Sequence, residues 1–230
     1  MRSYGQYCPI ARASEILAER WTPIILRNLL LGCTTFTQIA EGAPGISHTL
    51  LTTRLRELER VGVVHTTPHP SGRGSLYYLT DAGQDLGDVM TALGTWGKRW
   101  LELAPDHIDP FVVLWSWCNS RLDHNRLPEH RVVVRFEFPD QPKGSRRFWL
   151  VLDGDQSEVC RTDPGFDEDL IVEAESKALA EWHLGQITWN EAIRSDRIRV
   201  LGSKPLARML PTWNRLSSFA EVEPVRSAAH

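Results

Sequence analysis

The chain has 230 residues, room for two packed domains, and 42% of them are hydrophobic with 9% aromatic, which excludes a wholly disordered polypeptide. Its net charge of −3 argues mildly against a nucleic-acid partner, but local charge governs phosphate contact: residues 1–104 carry 10 Lys+Arg against 9 Asp+Glu, the remainder 16 against 20. No run of about 18 uncharged apolar residues and no charged-then-apolar leader is present, so a soluble, cytoplasmic protein with no membrane partner is expected.

In chain order, Cys8-Pro9 opens a short helix, and Thr22-Pro23 repeats the device before the apolar "IILRNLLLG", closed by Gly32. Thr35 caps "FTQIAEGA", Pro44-Gly45 turns the chain, and Ser47 caps a helix running to Gly62. The segments "VVHTTPHP" and "SLYYLT" alternate as strands about a Ser71-Gly72-Arg73-Gly74 turn. A long helix over 81–103 follows, with Leu86, Val89, Met90, Leu93, Trp96, Trp100 and Leu101 near a 3.6-residue period. Ala104-Pro105-Asp106 marks a boundary, so the domains are expected to be 1–104 and 105–230.

The helix from Ser47 carries the chemistry. At about 100° per residue, Leu51, Leu55, Leu58 and Val61 form one stripe with Leu50 at its border, and Thr49, Thr52, Thr53, Arg56 and Arg60 gather opposite. Ser47, His48 and Thr49 stand at its start, the end by which recognition helices enter a major groove. Hydroxyls and an imidazole bond base edges or phosphates, a threonine methyl meets a thymine methyl, and Arg56 and Arg60 suit phosphates. A polar helix face alone fits a solvated surface equally. The preceding helix, the tight turn and the following hairpin tip the balance toward DNA, with Arg73 at the apex reaching a minor groove or flanking phosphate beside His69. For Arg54, beside the leucine stripe, an internal salt bridge is at least as well supported as a DNA contact, and Glu57 and Glu59 are expected to point away or tether arginines.

The string "YCPIARASEILAERWTPIILRNLLLGCTTFTQIAEGAPGISHTLLTTRLRELERVGVV", with "YYLTDAG" after it, resembles the HxlR family of winged helix-turn-helix transcriptional regulators over residues 4–103. The resemblance implies a cytoplasmic homodimer on a double-stranded operator with pseudo-two-fold symmetry, joined through the N-terminal helix and the long helix after the wing. The wing departs by lacking a second basic cluster. A single winged helix makes few base contacts, which independently favours two copies about 34 Å apart. The stripe on 81–103 serves as a dimer seam or packs against the second domain. The sequence is neutral between a repressor and an activator.

Four cysteines (Cys8, Cys33, Cys118, Cys160) lack CxxC spacing, so neither a metal site nor a disulfide framework is expected. Cys8, before a helix-opening proline, sits where the helix dipole favours thiolate, and is either an inert thiol or a sensor of oxidants and electrophiles, as in regulators it resembles.

After the boundary come an apolar segment at 111–117, strands "RVVVRFEF", "RRFWLVLDG" and "SEVCRT" with an Asp153-Gly154 hairpin turn, and helices "SKALAEWHLG" and "TWNEAIRS". A strand "RIRVLG" and a last helix from Ser203 close the fold, and the tail after Glu221 is expected to fray. This order resembles the sterol-carrier-protein fold over 128–220, which implies an apolar effector between sheet and helices. Trp149, Trp182, Trp189, Met209 and Trp213 either line such a pocket or fill a core. Glu173, Glu175 and Glu181 read as solvated. No histidine spacing, phosphate loop or nucleophile elbow supports catalysis, and no cofactor is expected.

The expectation is therefore an α+β protein, an N-terminal winged helix-turn-helix and a C-terminal mixed sheet packed with helices, acting as a non-enzymatic DNA-binding regulator modulated by an apolar ligand or thiol modification. The competing reading is a lipid or apolar small-molecule carrier whose winged helix mediates protein contacts.

Overall fold

The computed structural model describes residues 3–104 and 107–225. Pro105 and Asp106 of the expected boundary, and the tail from 226, lie outside the described residues. The chain divides into two compact units, 1–94 and 95–230.

In the first unit, helix α1 (Pro9–Leu17) starts with proline in its first turn after Cys8. Helix α2 (Thr22–Leu30) is entered through Trp21 at φ 78°, so Thr22 is its buried first residue and not the hydroxyl cap expected there. Helix α3 (Phe36–Glu41) begins with a capping box: Thr35 Oγ1 accepts from Gln38 N at 3.2 Å, and Thr35 N donates to Gln38 Oε1 at 3.1 Å. Buried Asn28 joins α2 to α3 by donating to the Ile39 carbonyl at 2.9 Å. Arg27 donates to Asn28 Oδ1 at 2.8 Å and to the Gly42 carbonyl at 2.5 Å, and burial lowers its pKa.

Helix α4 (His48–Arg60) buries Leu51, Leu55 and Leu58, as α2 buries Ile25 and Leu26 and α3 Ile39, each α4 leucine stabilising by roughly 1.5–3 kcal/mol relative to exposure. Strands β1 (Val64–Pro68) and β2 (Ser75–Leu79) pair antiparallel from Val64–Leu79 to Pro68–Ser75. A bridge from Thr35 to Leu76, with Tyr77 N donating to the Thr34 carbonyl at 2.8 Å, ties the hairpin to the entry of α3. Helix α5 (Asp81–Trp100) begins where Thr80 Oγ1 donates to the Gly62 carbonyl at 2.6 Å and accepts from Gly83 N at 3.2 Å. A Cβ on Gly83, the one buried residue of α5, would stand 2.3 Å from the Val63 carbonyl oxygen.

In the second unit, α6 (Pro110–Ser116), capped by Asp109, continues into a π-helical turn at Trp117–Arg121. Five strands follow: β3 (Val132–Glu137), β4 (Arg147–Leu152), β5 (Glu158–Cys160), β6 (Leu170–Ala174) and β7 (Ile198–Gly202), in sheet order β5-β4-β3-β6-β7. Only the central β3–β6 pairing is parallel. Strand β6 is absent from the sequence-based reading. Its buried Leu170, Val172 and Ala174 alternate with half-buried Ile171 and Glu173 straight after the acidic run 167–169. The β4–β5 connection is a 3-10 turn over Gly154–Gln156 and not the two-residue turn expected.

Helices α7 (Ser176–His183) and α8 (Trp189–Arg194) connect β6 to β7, and α9 (Lys204–Met209) follows β7. Glu173, Glu175 and Glu181 are ion-paired: Arg197 meets Glu175 and Glu181 at 2.8 Å each, and Arg199 meets Glu173 at 3.6 Å. Glu175 is exposed as expected, but its ion pair and those of Glu173 and Glu181 were not read, because Arg197 and Arg199 lie some 16–26 residues later.

An aromatic core holds the second unit. Trp117 packs edge-on against Phe136 and Trp182 at 5.8 and 5.3 Å. Beside it the Asn214 carboxamide oxygen accepts from Trp117 Nε1 at 3.3 Å, and the His183 ring lies between the Asn214 carboxamide, 3.3 Å from Nδ1, and Ser116 Oγ, 3.3 Å from Nε2. Burial, then the Arg121 guanidinium, push His183 from 6.5 down to about 4. The unfolded chain binds a proton in that window that the folded chain refuses, so stability is full above 6.5 and falls as pH drops toward 4. Urea denaturation at about pH 4.5 should show a loss of about 2 kcal/mol relative to about pH 7, and His183→Gln should flatten that dependence.

Candidate nucleic-acid interface

Ser47 spends one hydroxyl lone pair on its own helix, accepting from Leu50 N at 3.2 Å. Thr52 and Thr53 donate to the His48 and Thr49 carbonyls at 2.8 and 2.9 Å. Those bonds lock both rotamers and present an oxygen acceptor and a methyl to the surroundings. Ser47, His48, Thr49, Thr53, Arg56 and Arg60 are exposed and Thr52 half-buried, so the expected set shares one open flank of α4. His48 is steadied by Phe36, whose ring meets it edge-on at 5.4 Å. Phe36 was missed in the sequence although its place beside the Thr35 cap puts it in the first turn of α3.

Arg56, Arg60 and Arg73 are exposed, and none forms an ion pair among the described residues. Arg54 does the opposite, donating to Glu57 and Glu19 at 2.6 Å each, which makes it an internal clamp. Glu59 accepts from Thr66 Oγ1 at 2.5 Å, drawing its carboxylate toward β1. At the wing tip Gly72 (φ 73°) and Gly74 (φ 84°) take backbone conformations that side chains resist, which sets Arg73 at the apex of the turn. His69 Nδ1 lies 2.7 Å from Ser71 Oγ and accepts from Ser71 N at 3.1 Å, so it braces the tip. His65 and Tyr78 also stack across the wing, ring centroids 5.5 Å apart, an exposed pair the alternation of the two strands implied but did not single out.

The remaining expected sites are separate. Cys8 is a half-buried free thiol beside α1. Burial pushes Cys33 up to about 11, Cys118 up to about 12 and Cys160 upward, so all three are held as thiols. Trp213 is wholly buried, Trp182 is packed 4.7 Å from Trp189, Trp149 Nε1 donates to Glu168 at 3.0 Å, and Met209 is exposed. Of these five, Trp189 alone lines the groove between α8, β7 and α9.

Three helices, a tight turn before α4 and a two-stranded wing define a winged helix-turn-helix, and its open polar flank is the face by which such units meet DNA. The HxlR-like helix-turn-helix family model matches residues 16–105. The HTH-type transcriptional regulator YvaP of Bacillus subtilis is 33% identical over 107 residues, covering 46% of this chain and 97% of YvaP. Rv3095 of Mycobacterium tuberculosis, also named an HTH-type transcriptional regulator, is 39% identical over 133 residues, covering 52% of this chain and 84% of the relative. Among solved structures, the transcriptional regulator YodB from B. subtilis in its reduced form aligns with 30% identity and TM-score 0.36, covering 40% of this chain and 93% of that one. The chain belongs to the HxlR family of helix-turn-helix transcriptional regulators. No helix among the described residues is long and apolar enough to cross a membrane.

Proposed function

We propose that the chain acts as a cytoplasmic homodimer on a pseudo-two-fold operator, with residues 1–104 binding DNA and dimerising and residues 105–230 regulating. In each copy Ser47, His48, Thr49, Thr52 and Thr53 read the major groove, Arg56 and Arg60 hold phosphates, and Arg73 reaches the minor groove or a flanking phosphate. The observation that carries this reading is the open flank of α4, where locked hydroxyls stand beside arginines that form no ion pair among the described residues.

Dimerisation is supported by α5, on which Leu93, Trp96 and Trp100 are 52%, 55% and 56% exposed and fall on one face at spacings of three and four. Tyr7 and Ile10 of the α1 region add exposed apolar surface. The sterol-carrier resemblance of 128–220 is supported by the five-stranded mixed sheet with α7 and α8 carried between β6 and β7. An apolar effector in this domain, or modification of Cys8, changes the separation of the two recognition helices and so weakens simultaneous contact. If effector binding and Cys8 oxidation both leave operator affinity unchanged, that mechanism is wrong.

Operator affinity measured across salt concentrations tests the DNA reading. Arg73→Ala removes one phosphate-range cation per copy, so the slope of log affinity against log salt should shallow by about 2 for the dimer. A slope equal to that of the unaltered protein would remove Arg73 from the interface.

A further inference from the structure

Between α8, β7 and α9 lies an open surface groove of about 640 Å³. Its apolar walls are Trp189, Ile193 and Leu201. Trp189 is set at a fixed angle by Trp182, the rings 62° apart, so a flat surface is presented without loss of side-chain freedom. Ile193 and Leu201 remain 39% and 52% exposed, neighbouring apolar side chains left in water at the same place.

The charges around it are unequal. Arg199, Lys204 and Arg208 line the groove against a single carboxylate, Asp196. Arg199 already takes that carboxylate, Nε donating to Asp196 Oδ1 at 2.7 Å and Nη2 to Oδ2 at 3.2 Å, and stands 3.6 Å from Glu173. Lys204 and Arg208 lie one turn apart on α9, are exposed, and form no ion pair among the described residues. Two like charges at that spacing repel one another, a local cost that an anion between them would relieve.

We propose that this groove binds an organic acid, one carboxylate on a flat apolar body, with Lys204 and Arg208 holding the carboxylate and Trp189, Ile193 and Leu201 covering the body. The assignment deepens the effector reading and rests on it for the link to DNA, whereas the binding itself needs no DNA. It also moves the ligand away from the interior tryptophans: Trp213 and Trp182 fill the core, and the site lies on its outer side.

Isothermal titration of the full chain with naphthylacetate tests it, with the methyl ester of the same acid as the uncharged control. The acid should bind at one site per chain and the ester at least about tenfold more weakly, since the charge-assisted contacts are lost. The double variant Lys204→Gln/Arg208→Gln, both positions on the surface, should weaken the acid to the level of the ester. Leu201→Asn should weaken acid and ester alike. Absence of binding, equal affinity for acid and ester, or a double variant that binds the acid normally would overturn the proposal. A selected operator duplex titrated in parallel separates the two readings: acid binding with no operator binding sinks the regulator, and operator binding with no acid binding sinks only the groove.

Discussion

Trp96→Glu should turn the protein into a monomer of 26.1 kDa by sedimentation, and operator affinity should fall at least about 100-fold. In the proposed seam Trp96 of one α5 faces a second copy of the same stripe, and by two-fold symmetry one substitution introduces two carboxylates. Each tryptophan withdrawn from water contributes several kcal/mol, and a carboxylate placed there either pulls water into the seam or stays protonated at a cost. In the proposed dimer two half-sites are read together, so a monomer would keep only one set of contacts. Helix α5 buries only Gly83 within its own chain, which leaves Trp96 free of any core role that would confuse the result. A variant still sedimenting at twice 26.1 kDa would move the seam elsewhere.

Gly83→Ala should lower the melting temperature of the first unit by about 10 °C, although alanine is the better helix former by about 1 kcal/mol. The added Cβ would meet the Val63 carbonyl at 2.3 Å and Leu79 Cδ2 at 2.9 Å. The first is backbone at the foot of the wing, where Thr80 N also donates to the Val63 carbonyl at 3.1 Å, so it has little room to yield. Overpacking of this kind costs about 1–3 kcal/mol or more, which exceeds the propensity gain. Gly87→Ala on the same helix is the control, since its nearest contact of 3.6 Å to Leu30 Cδ2 is ordinary packing, and it should raise stability slightly. Differential scanning calorimetry of the two variants gives opposite signs if the close approach at Gly83 is the cause.

The N-terminal unit was legible because its signals are local. Thr35 with Gln38, Ser47 before a leucine period, and glycine on each side of Arg73 each fix a turn or a cap within four residues. Arg54 was readable as an internal partner because its place on the wheel borders the leucines, but Glu19, one of the two carboxylates it meets, lies 35 residues earlier and carries no mark of that role. In the second unit β6 escaped notice because its pairing with β3 is parallel and joins segments some 36 residues apart, so no turn announces it. The tryptophans illustrate the same limit. Their number promised a large apolar interior, but whether Trp189 or Trp213 lines a groove depends on which way α8 and the segment after α9 face. That is decided by sheet order, and hydrophobicity alone does not carry it.

The backbone bond from Tyr77 to Thr34 has a bearing on control. It stitches the wing to the entry of α3, while the Asn28 clamp stitches α3 to α2, so the wing, α3 and α2 are fastened to one another by backbone and buried hydrogen bonds. A signal arriving at such a head would have to swing it whole.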